Sequence, residues 1–485
     1  MRITLRPYQE KALDEIRGCY RDGIKKVLLH LATGAGKTAI FCEILKSAKA
    51  KGTKAIMVVR GKALVDQASL RLTHMDVPHG VMQANHWRRM PDEPIQICSI
   101  DTLYRRRLIP PADLIVIDEA HLASSESYLW LCKQYPHAFF LPVSATPHVK
   151  KGLRHVADKV VYPITMKDLI REGYLVPATY FLPSKPNLDG VEIDKKTHDY
   201  KQDQLEKRMR NTVIYGHLSH SYKTYGQNRP ALAFAVTVEH SIEMVEAFNA
   251  AGIPAEHMEA DTSMPERVRM IKDLEEGRIK IISNVGVLTT GVDIPCASCI
   301  ILARPTKSYN LYIQILGRGT RTYPGKENFI VLDHASNVPE HGFIETERVC
   351  NLDGKEGKPV ENSYITCDVC WHTWNPIEQY RENNQGANGR DYLCRLCGRD
   401  MTPVKAVAEV EHTIITAPSE MVEVKDLTEL ETAQMLQYIE AKYRIMRLKG
   451  YKKGWIYYQL REKFGETNAN RIWSVVKKRL VETPS

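Results

Sequence analysis

Over residues 27–51 the chain passes from a short apolar run, Val27-Leu28-Leu29-His30-Leu31, through Ala32-Thr33-Gly34-Ala35-Gly36-Lys37-Thr38, into a segment of helical periodicity at 39–51. Strand, glycine-rich turn and helix in that order make one unit of a parallel α/β sheet. The turn is also a phosphate cradle: backbone N–H groups must face inward, and only glycine lets the main chain come that close. Position 31 carries Leu where the strict phosphate-loop pattern has Gly. Further on, a second apolar run, Leu114-Ile115-Val116-Ile117, ends in Asp118-Glu119-Ala120-His121. The two segments together predict a nucleoside triphosphate site. The backbone of Thr33, Gly34, Ala35 and Gly36 would wrap the phosphates, and Lys37 would meet the β- and γ-phosphates. The Thr38 hydroxyl and Asp118 would hold Mg²⁺, while Glu119 would take a proton from the attacking water.

The same alternation repeats. Short apolar runs at 27–31, 55–59, 95–100, 114–117 and 139–143 are separated by helical stretches such as 39–51 and 62–75. Residues 151–230 are mixed, and a second set of runs follows at 231–236, 279–283, 299–302 and 329–332. Two parallel-sheet α/β lobes are the simplest account, at 1–160 and 161–335. Beyond them the sequence predicts a linker at 336–365, a four-cysteine ribbon at 366–400, an acidic tether at 401–426 and a basic helical module at 427–485. A chain of 485 residues accommodates this many units. Eleven cysteines in so long a chain argue against a disulfide framework. No apolar run reaches the ~18 residues of a membrane helix, and the first residues lack a signal-peptide core. The expectation is a cytoplasmic protein with no membrane partner.

Further motifs come in a fixed order. They are Arg6-Pro7-Tyr8-Gln9, Val58-Val59-Arg60 with Leu64-Val65-Asp66-Gln67, Ser99-Ile100-Asp101-Thr102, and Ser144-Ala145-Thr146-Pro147. In the second half come Phe234-Ala235-Val236-Thr237, Thr289-Thr290-Gly291-Val292-Asp293 and Gln314-Ile315-Leu316-Gly317-Arg318-Gly319-Thr320-Arg321. The series, spanning residues 1–335, resembles that of the superfamily 2 (DEAH-box) helicases. On Ala235-Val236-Thr237-Val238-Glu239-His240 and Arg304-Pro305-Thr306 it is most similar to the RadD-type bacterial DNA repair helicases.

The resemblance implies two tandem RecA-like lobes that clasp ATP between them. It implies that Gln9 meets the adenine, and that Arg6, Gly291 and Asp293 join the nucleotide site. His121 and Gln314 would take part in catalysis. Arg318 and Arg321, three apart and expected on one helix face, would reach across the cleft as arginine fingers. Arg60, Gln67, Thr102 and Thr290 would contact the nucleic-acid backbone, with Ser144 and Thr146 coupling that track to ATP. The implied activity is an ATP-dependent DNA helicase or translocase of repair, recombination or replication, associated with the nucleoid. Its partners would be single-stranded or branched DNA and a single-stranded-DNA-binding protein or another repair or replication factor. The alternatives are an RNA-remodelling ATPase of the same superfamily and a non-catalytic DNA-binding adaptor. The chain departs from the family at Ala260-Asp261, where Gly-Asp is common, and at Gly61, where many relatives carry a basic residue.

Cys367, Cys370, Cys394 and Cys397 form two Cys-x-x-Cys pairs, a soft four-thiolate set suited to tetrahedral, structural Zn²⁺. Their 23-residue gap is a little wider than the usual spacing. His372 is a possible substitute ligand. Cys296 and Cys299 repeat the spacing but read as buried core thiols, and Trp371 and Trp374 read as ribbon core. Net charge is +9, and residues 442–485 hold twelve Lys/Arg against three Asp/Glu. With Trp455, Tyr457 and Tyr458 interleaved, that end suits single-stranded nucleic acid, or else a packed helical core with lysines outside.

Overall fold

The computed structural model describes residues 4–402, apart from short breaks at 84–85, 150, 184–185, 195–196, 211, 289–292, 347, 349, 355–363, 384–385 and 387–389. The acidic tether from residue 403 on and the basic module lie outside the described residues, as do Thr290 and Gly291.

Seven strands form the first sheet: β1 Val27–His30, β2 Ala55–Val59, β3 Gly80–Met82, β4 Ile95–Ser99, β5 Leu114–Ile117, β6 Phe139–Ser144 and β7 Lys159–Val161. They lie parallel in the order β3-β4-β2-β5-β6-β1-β7. The central strands β1, β2, β4 and β5 are buried along their whole length. This is why they are continuous apolar runs and not alternating ones. Helices α1 Pro7–Arg21, α2 Lys37–Ala50, α3 Lys62–His74, α4 Ile100–Arg106 and α5 Glu126–Gln134 cover the faces. A short helix, α6 Met166–Arg171, leads out of this lobe.

The second sheet begins with β8 Ala178–Phe181 and continues through β9 Ala231–Phe234, β10 Ala255–Met258, β11 Ile281–Asn284, β12 Cys299–Leu302 and β13 Phe329–Asp333. These six are parallel, in the order β10-β11-β9-β12-β13-β8. Helices α7 Gln202–Met209, α8 Thr212–Tyr225, α9 Val238–Ala250, α10 Met264–Glu275 and α11 Tyr309–Leu316 accompany them. Two parallel-sheet lobes of this kind are tandem RecA-like domains.

Two stretches differ from the sequence reading. Residues 336–365, expected as a linker, include a helix, α12 Asn337–His341, and the buried side chains Phe343, Ile344 and Leu352. This stretch returns to the first lobe: Leu153 N donates to Leu352 O at 2.7 Å, and Arg154 pairs with Asp353 at 2.7 Å. The ribbon is also not a separate bead. Its strands β14 Ile365–Thr366 and β15 His372–Trp374 extend the second sheet, β15 lying antiparallel to β8. A helix, α13 Pro376–Asn383, follows. Among the described residues, no helix is long and apolar enough to cross a membrane.

Candidate active site

In an open parallel sheet, ligands sit outside the carboxyl ends of the strands, where the strand order reverses. In the first lobe β1 is flanked by β6 and β7, so the loop after β1 faces such a crevice. Gly34 and Gly36 turn that loop at φ 84° and 78°, and Gly36 caps α2 in the left-handed region. The loop is tied to α1, for Tyr8 Oη and Gln9 Nε2 donate to Ala35 O at 2.9 and 3.2 Å. A Cβ on Gly36 would lie 2.4 Å from Gln9 Nε2, and one on Gly34 would lie 3.1 Å from Leu175 and 3.5 Å from Arg321. A Cβ at either position is therefore strained by the left-handed backbone and must displace a neighbouring side chain, so glycine keeps the main chain open to an incoming phosphate.

A cavity of about 380 Å³ opens here between the lobes. Its wall contains Arg6, Thr33, Gly34, Gly36, Lys37, Thr38, Asp118 and Glu119 from the first lobe, and Asp293, Gln314, Arg318 and Arg321 from the second. Gln9 and Ala35 stand directly behind it. Sequence reasoning missed Arg71 on α3, Phe41 on α2, and Tyr174 and Leu175, all of which line the cavity. For Arg71, the lone arginine of α3, there was no signal, since a single arginine on a helix reads as a solvated surface residue. For Tyr174-Leu175-Val176 a short apolar run inside the mixed stretch was the signal. Arg6 lies over the Tyr174 ring at 4.7 Å, and Leu175 bridges to Arg321. The wall carries five basic side chains, Arg6, Lys37, Arg71, Arg318 and Arg321, against three acidic ones, which suits a polyanion accompanied by a divalent cation.

Lys37 is half-buried and donates to Leu31 O and Ala32 O at 3.1 and 3.3 Å. Burial pulls its pKa below the ordinary lysine value, with Glu119 and Asp118 opposing. Burial and the neighbouring Glu119 push Asp118 upward. Glu119 behaves differently. Burial alone would raise it, but a hydrogen bond from His121 and the charges of Lys37 and Arg318 hold it below the usual carboxylate value. It also sits at φ 51°, a left-handed conformation that is costly for a non-glycine residue and clusters at functional sites.

His121 joins the lobes. Its Nδ1 is 3.3 Å from Glu119 Oε2 and 3.4 Å from Ser144 Oγ, while its Nε2 is 3.5 Å from Gln314 Nε2. The Gln314 amide nitrogen can only donate, so the matching tautomer carries its proton on Nδ1, the side that faces Glu119 and Ser144. Arg318 and Arg321 are brought to the cavity, but not on one helix face. α11 ends at Leu316, and both arginines lie in the turns that follow. Burial lowers each to about 10. Arg321 pairs with Asp293.

Of the residues expected on the nucleic-acid track, Arg60, Gln67 and Thr102 belong to segments that leave the carboxyl ends of first-sheet strands, and Thr290 lies outside the described residues. Arg60 follows β2, Gln67 is on α3 and Thr102 on α4. Arg60 is committed within its own lobe, donating to Ser125 and Ser127 at 2.8 Å and lying over Tyr128. The Gln67 carboxamide oxygen is buried and accepts no hydrogen bond among the described residues. Ser144 Oγ accepts from Thr146 N at 3.1 Å.

The four ribbon cysteines converge, their sulfurs all within 4.8 Å and the pairs Cys367–Cys397 and Cys370–Cys394 at 3.5 Å. Tetrahedral thiolates at the usual Zn–S distance lie about 3.8 Å apart, so the set can hold zinc. His372 Nδ1 lies 3.7 Å from Cys394 Sγ, outside this set. Cys296 and Cys299 are buried. Trp374 is buried and donates to Asp391 O at 3.0 Å, but Trp371, expected in the core, is 42% exposed.

Residues 2–149 match the family model for the type III restriction enzyme res subunit, and residues 210–323 match the helicase conserved C-terminal domain. The chain is a superfamily 2 helicase. As such it is a nucleic-acid-dependent ATPase. The helicase is 27% identical to a 51.5 kDa protein of a Lactococcus phage, over 90% of this chain and 88% of that one. It is 28% identical to a Saccharomyces cerevisiae protein named as ATP-dependent helicase IRC3, over 68% of this chain and about half, 51%, of the yeast protein. In fold it is similar to a fragment assigned as the HsdR subunit of a type I restriction enzyme from Vibrio vulnificus YJ016. The TM-score is 0.54 at 21% identity, covering 72% of this chain and 67% of that one.

Proposed function

We propose that this helicase couples ATP hydrolysis to movement on DNA, in repair, recombination or replication, as a RadD-type enzyme. The observation that carries the reading is the cavity with basic groups on both lobes, beside a loop that two glycines turn through positive φ. DNA rather than RNA is favoured because the first lobe matches the model of a restriction-enzyme subunit.

In this reading Lys37 leaves the Leu31 and Ala32 carbonyls for the β- and γ-phosphates, and Arg6, Gln9 and Tyr174 hold the base. Asp293 borders the site from the second lobe, and Gly291, outside the described residues, is proposed to join it. Mg²⁺, held by Thr38 and Asp118, would neutralise charge on the phosphates. Glu119, kept ionised, takes the proton of the attacking water, and His121 fixes its carboxylate. Arg318 and Arg321 meet the charge that gathers on the transferred phosphoryl group. Gln314 reports the state of the cleft to Glu119 through His121. Closure and release of the lobes then shift the grip on a strand laid over Arg60, Gln67, Thr102 and Thr290. Most such contacts go to phosphate and sugar, so sequence preference is weak. Zinc in the four-thiolate ribbon is structural, since no coordination position stays open. The proposed partners are single-stranded or branched DNA and a single-stranded-DNA-binding protein, and the proposed location is the nucleoid.

The test is the ATPase rate without nucleic acid, then with single-stranded, duplex and branched DNA, and with RNA. Stimulation is expected from DNA. Stimulation by RNA alone would overturn the substrate, and no stimulation by any of them would overturn the motor.

A further inference from the structure

Trp87 is 80% exposed, more than any other large hydrophobic side chain among the described residues. It is also held up on a built base. On one side its ring stacks on His86, with centroids 5.7 Å apart and planes at 25°. The His86 side chain is itself buried, and its Nε2 meets Asp66 Oδ1 at 3.2 Å while its Nδ1 accepts from Arg88 N at 3.1 Å. The Arg88 guanidinium lies 4.8 Å from the indole centroid and donates to Thr73 Oγ1 at 2.8 Å. Val81 N donates to Arg88 O at 2.9 Å, fastening the loop to edge strand β3. Together these anchors on three consecutive residues present the indole at a fixed place.

That place continues the proposed track. The sheet runs β2, β4, β3 toward its edge. Arg60 follows the first of these strands, Thr102 the second and Trp87 the third. Asp66, which anchors His86, is the chain neighbour of Gln67. Arg88 lies against the ring and Arg89 is next in sequence, with the Asp66 carboxylate behind His86, while Leu70 is 57% exposed on the same face of α3 as Asp66 and Thr73. An aromatic ring beside guanidinium groups suits a nucleobase with its phosphate: the ring stacks on any base, and the cations take the backbone charge.

We propose that Trp87 is a stacking post for a base of single-stranded nucleic acid where the strand leaves the first lobe. This rests on the reading that the strand crosses the carboxyl ends of β2 and β4, and it adds a contact to base rather than to backbone. The experiment titrates the full chain, and its Trp87→Ala and Trp87→Phe variants, with an oligothymidylate and with an abasic oligonucleotide of the same length. Base stacking of this kind is worth about 5- to 100-fold in affinity. Trp87→Ala should lose roughly that much on oligothymidylate and little on the abasic strand, with Trp87→Phe in between. Equal losses on both strands would mean a phosphate or structural effect and would overturn the post. Wild-type affinity of Trp87→Ala for oligothymidylate would also overturn it, leaving a protein-facing patch and the track itself intact. If the wild-type chain bound neither oligonucleotide and neither raised its ATPase rate, the track reading itself would fail.

Discussion

Gly36→Ala is the sharpest probe of the phosphate loop, because its cost can be worked from the structure. Gly36 sits at φ 78°, where a Cβ costs about 1–2 kcal/mol. The new methyl group would also lie 2.4 Å from Gln9 Nε2. That amide is the free end of a side chain and can swing away. Doing so breaks its bond to Ala35 O at 3.2 Å and the bond that Gln9 Oε1 accepts from Arg6 N at 3.0 Å. Each is worth about 1 kcal/mol. The alanine gives back about 0.4–1 kcal/mol by restricting the unfolded chain. The net cost is about 2–3.5 kcal/mol, or roughly 4–14 °C in the melting of a unit the size of the first lobe. Gly18 supplies the control. It lies inside α1, and a methyl group added there would meet nothing within 4 Å, so Gly18→Ala should stabilise by about 0.5–1 kcal/mol. The assay is thermal unfolding of both variants, followed by ATP titration. Gly36→Ala should also bind ATP more weakly, since the base-side amide has moved. A Gly36→Ala chain that melted with Gly18→Ala and bound ATP like wild type would refute the close approach of loop and α1.

Glu119→Gln should keep ATP affinity and lose about 10²–10⁴ in turnover; wild-type turnover would take the base away from Glu119. Arg318→Ala and Arg321→Ala should each lower nucleic-acid-stimulated turnover by about 10³ or more, and an unchanged stimulated rate in either would remove that residue from the site. Replacing Cys367 by Ser should reduce zinc content and, because β15 pairs with β8, speed amide exchange at 178–181; metal loss with unchanged exchange there would show the ribbon to be mechanically separate. Burial raises the Glu345 carboxyl to about 7, although it accepts from Tyr180 Oη at 3.3 Å. Since the folded value lies above the unfolded one of about 4.5, its stabilising effect is full below pH 4.5 and is lost as pH rises through 7. The melting temperature of wild type should therefore fall relative to Glu345→Gln between about pH 5 and 8, and parallel curves would contradict the raised value.

The strands were legible because burial on both faces leaves one signal, a β-branched apolar run. β2 at Ala55–Val59 and β12 at Cys299–Leu302 fall where those runs lie. The phosphate loop was legible because its chemistry dictates glycine. What escaped depends on contacts distant in sequence. Arg318 and Arg321 have helical spacing, yet α11 stops at Leu316. Gly319 then passes so near Phe329 that a Cβ would sit 2.2 Å from its ring, a packing constraint that no local pattern reports. The ribbon strands look self-contained, since two cysteine pairs could close a hairpin alone. Their attachment to β8 is an edge pairing between segments nearly two hundred residues apart. Arg71 reaches the cavity only because α3 crosses beside β4, which composition does not encode.

The lobes are joined by more than the segment that leads from β7 through α6 to Val176. After α12 the chain crosses back, with Arg348 stacked at 3.7 Å over Tyr309 of the second lobe and Leu352 buried against Leu153 of the first. The exposed Arg154–Asp353 pair contributes little to that attachment, because exposed ion pairs are worth at most about 1 kcal/mol. The buried leucine and its backbone hydrogen bond carry it. Meanwhile, on the nucleotide side, a Cβ on Gly317 would lie 2.6 Å from Thr33, and Val176 N donates to Thr320 O at 2.8 Å. The lobes therefore meet at the glycine turns that hold Arg318 and Arg321 and are strapped again by 348–353. A relative motion of the lobes must deform one of these two connections, besides parting the His121–Gln314 and Asn310–His148 contacts. The strap has few buried anchors and a weak ion pair, so it is the cheaper one to deform, and the arginine turns keep their register with the phosphate loop while it does.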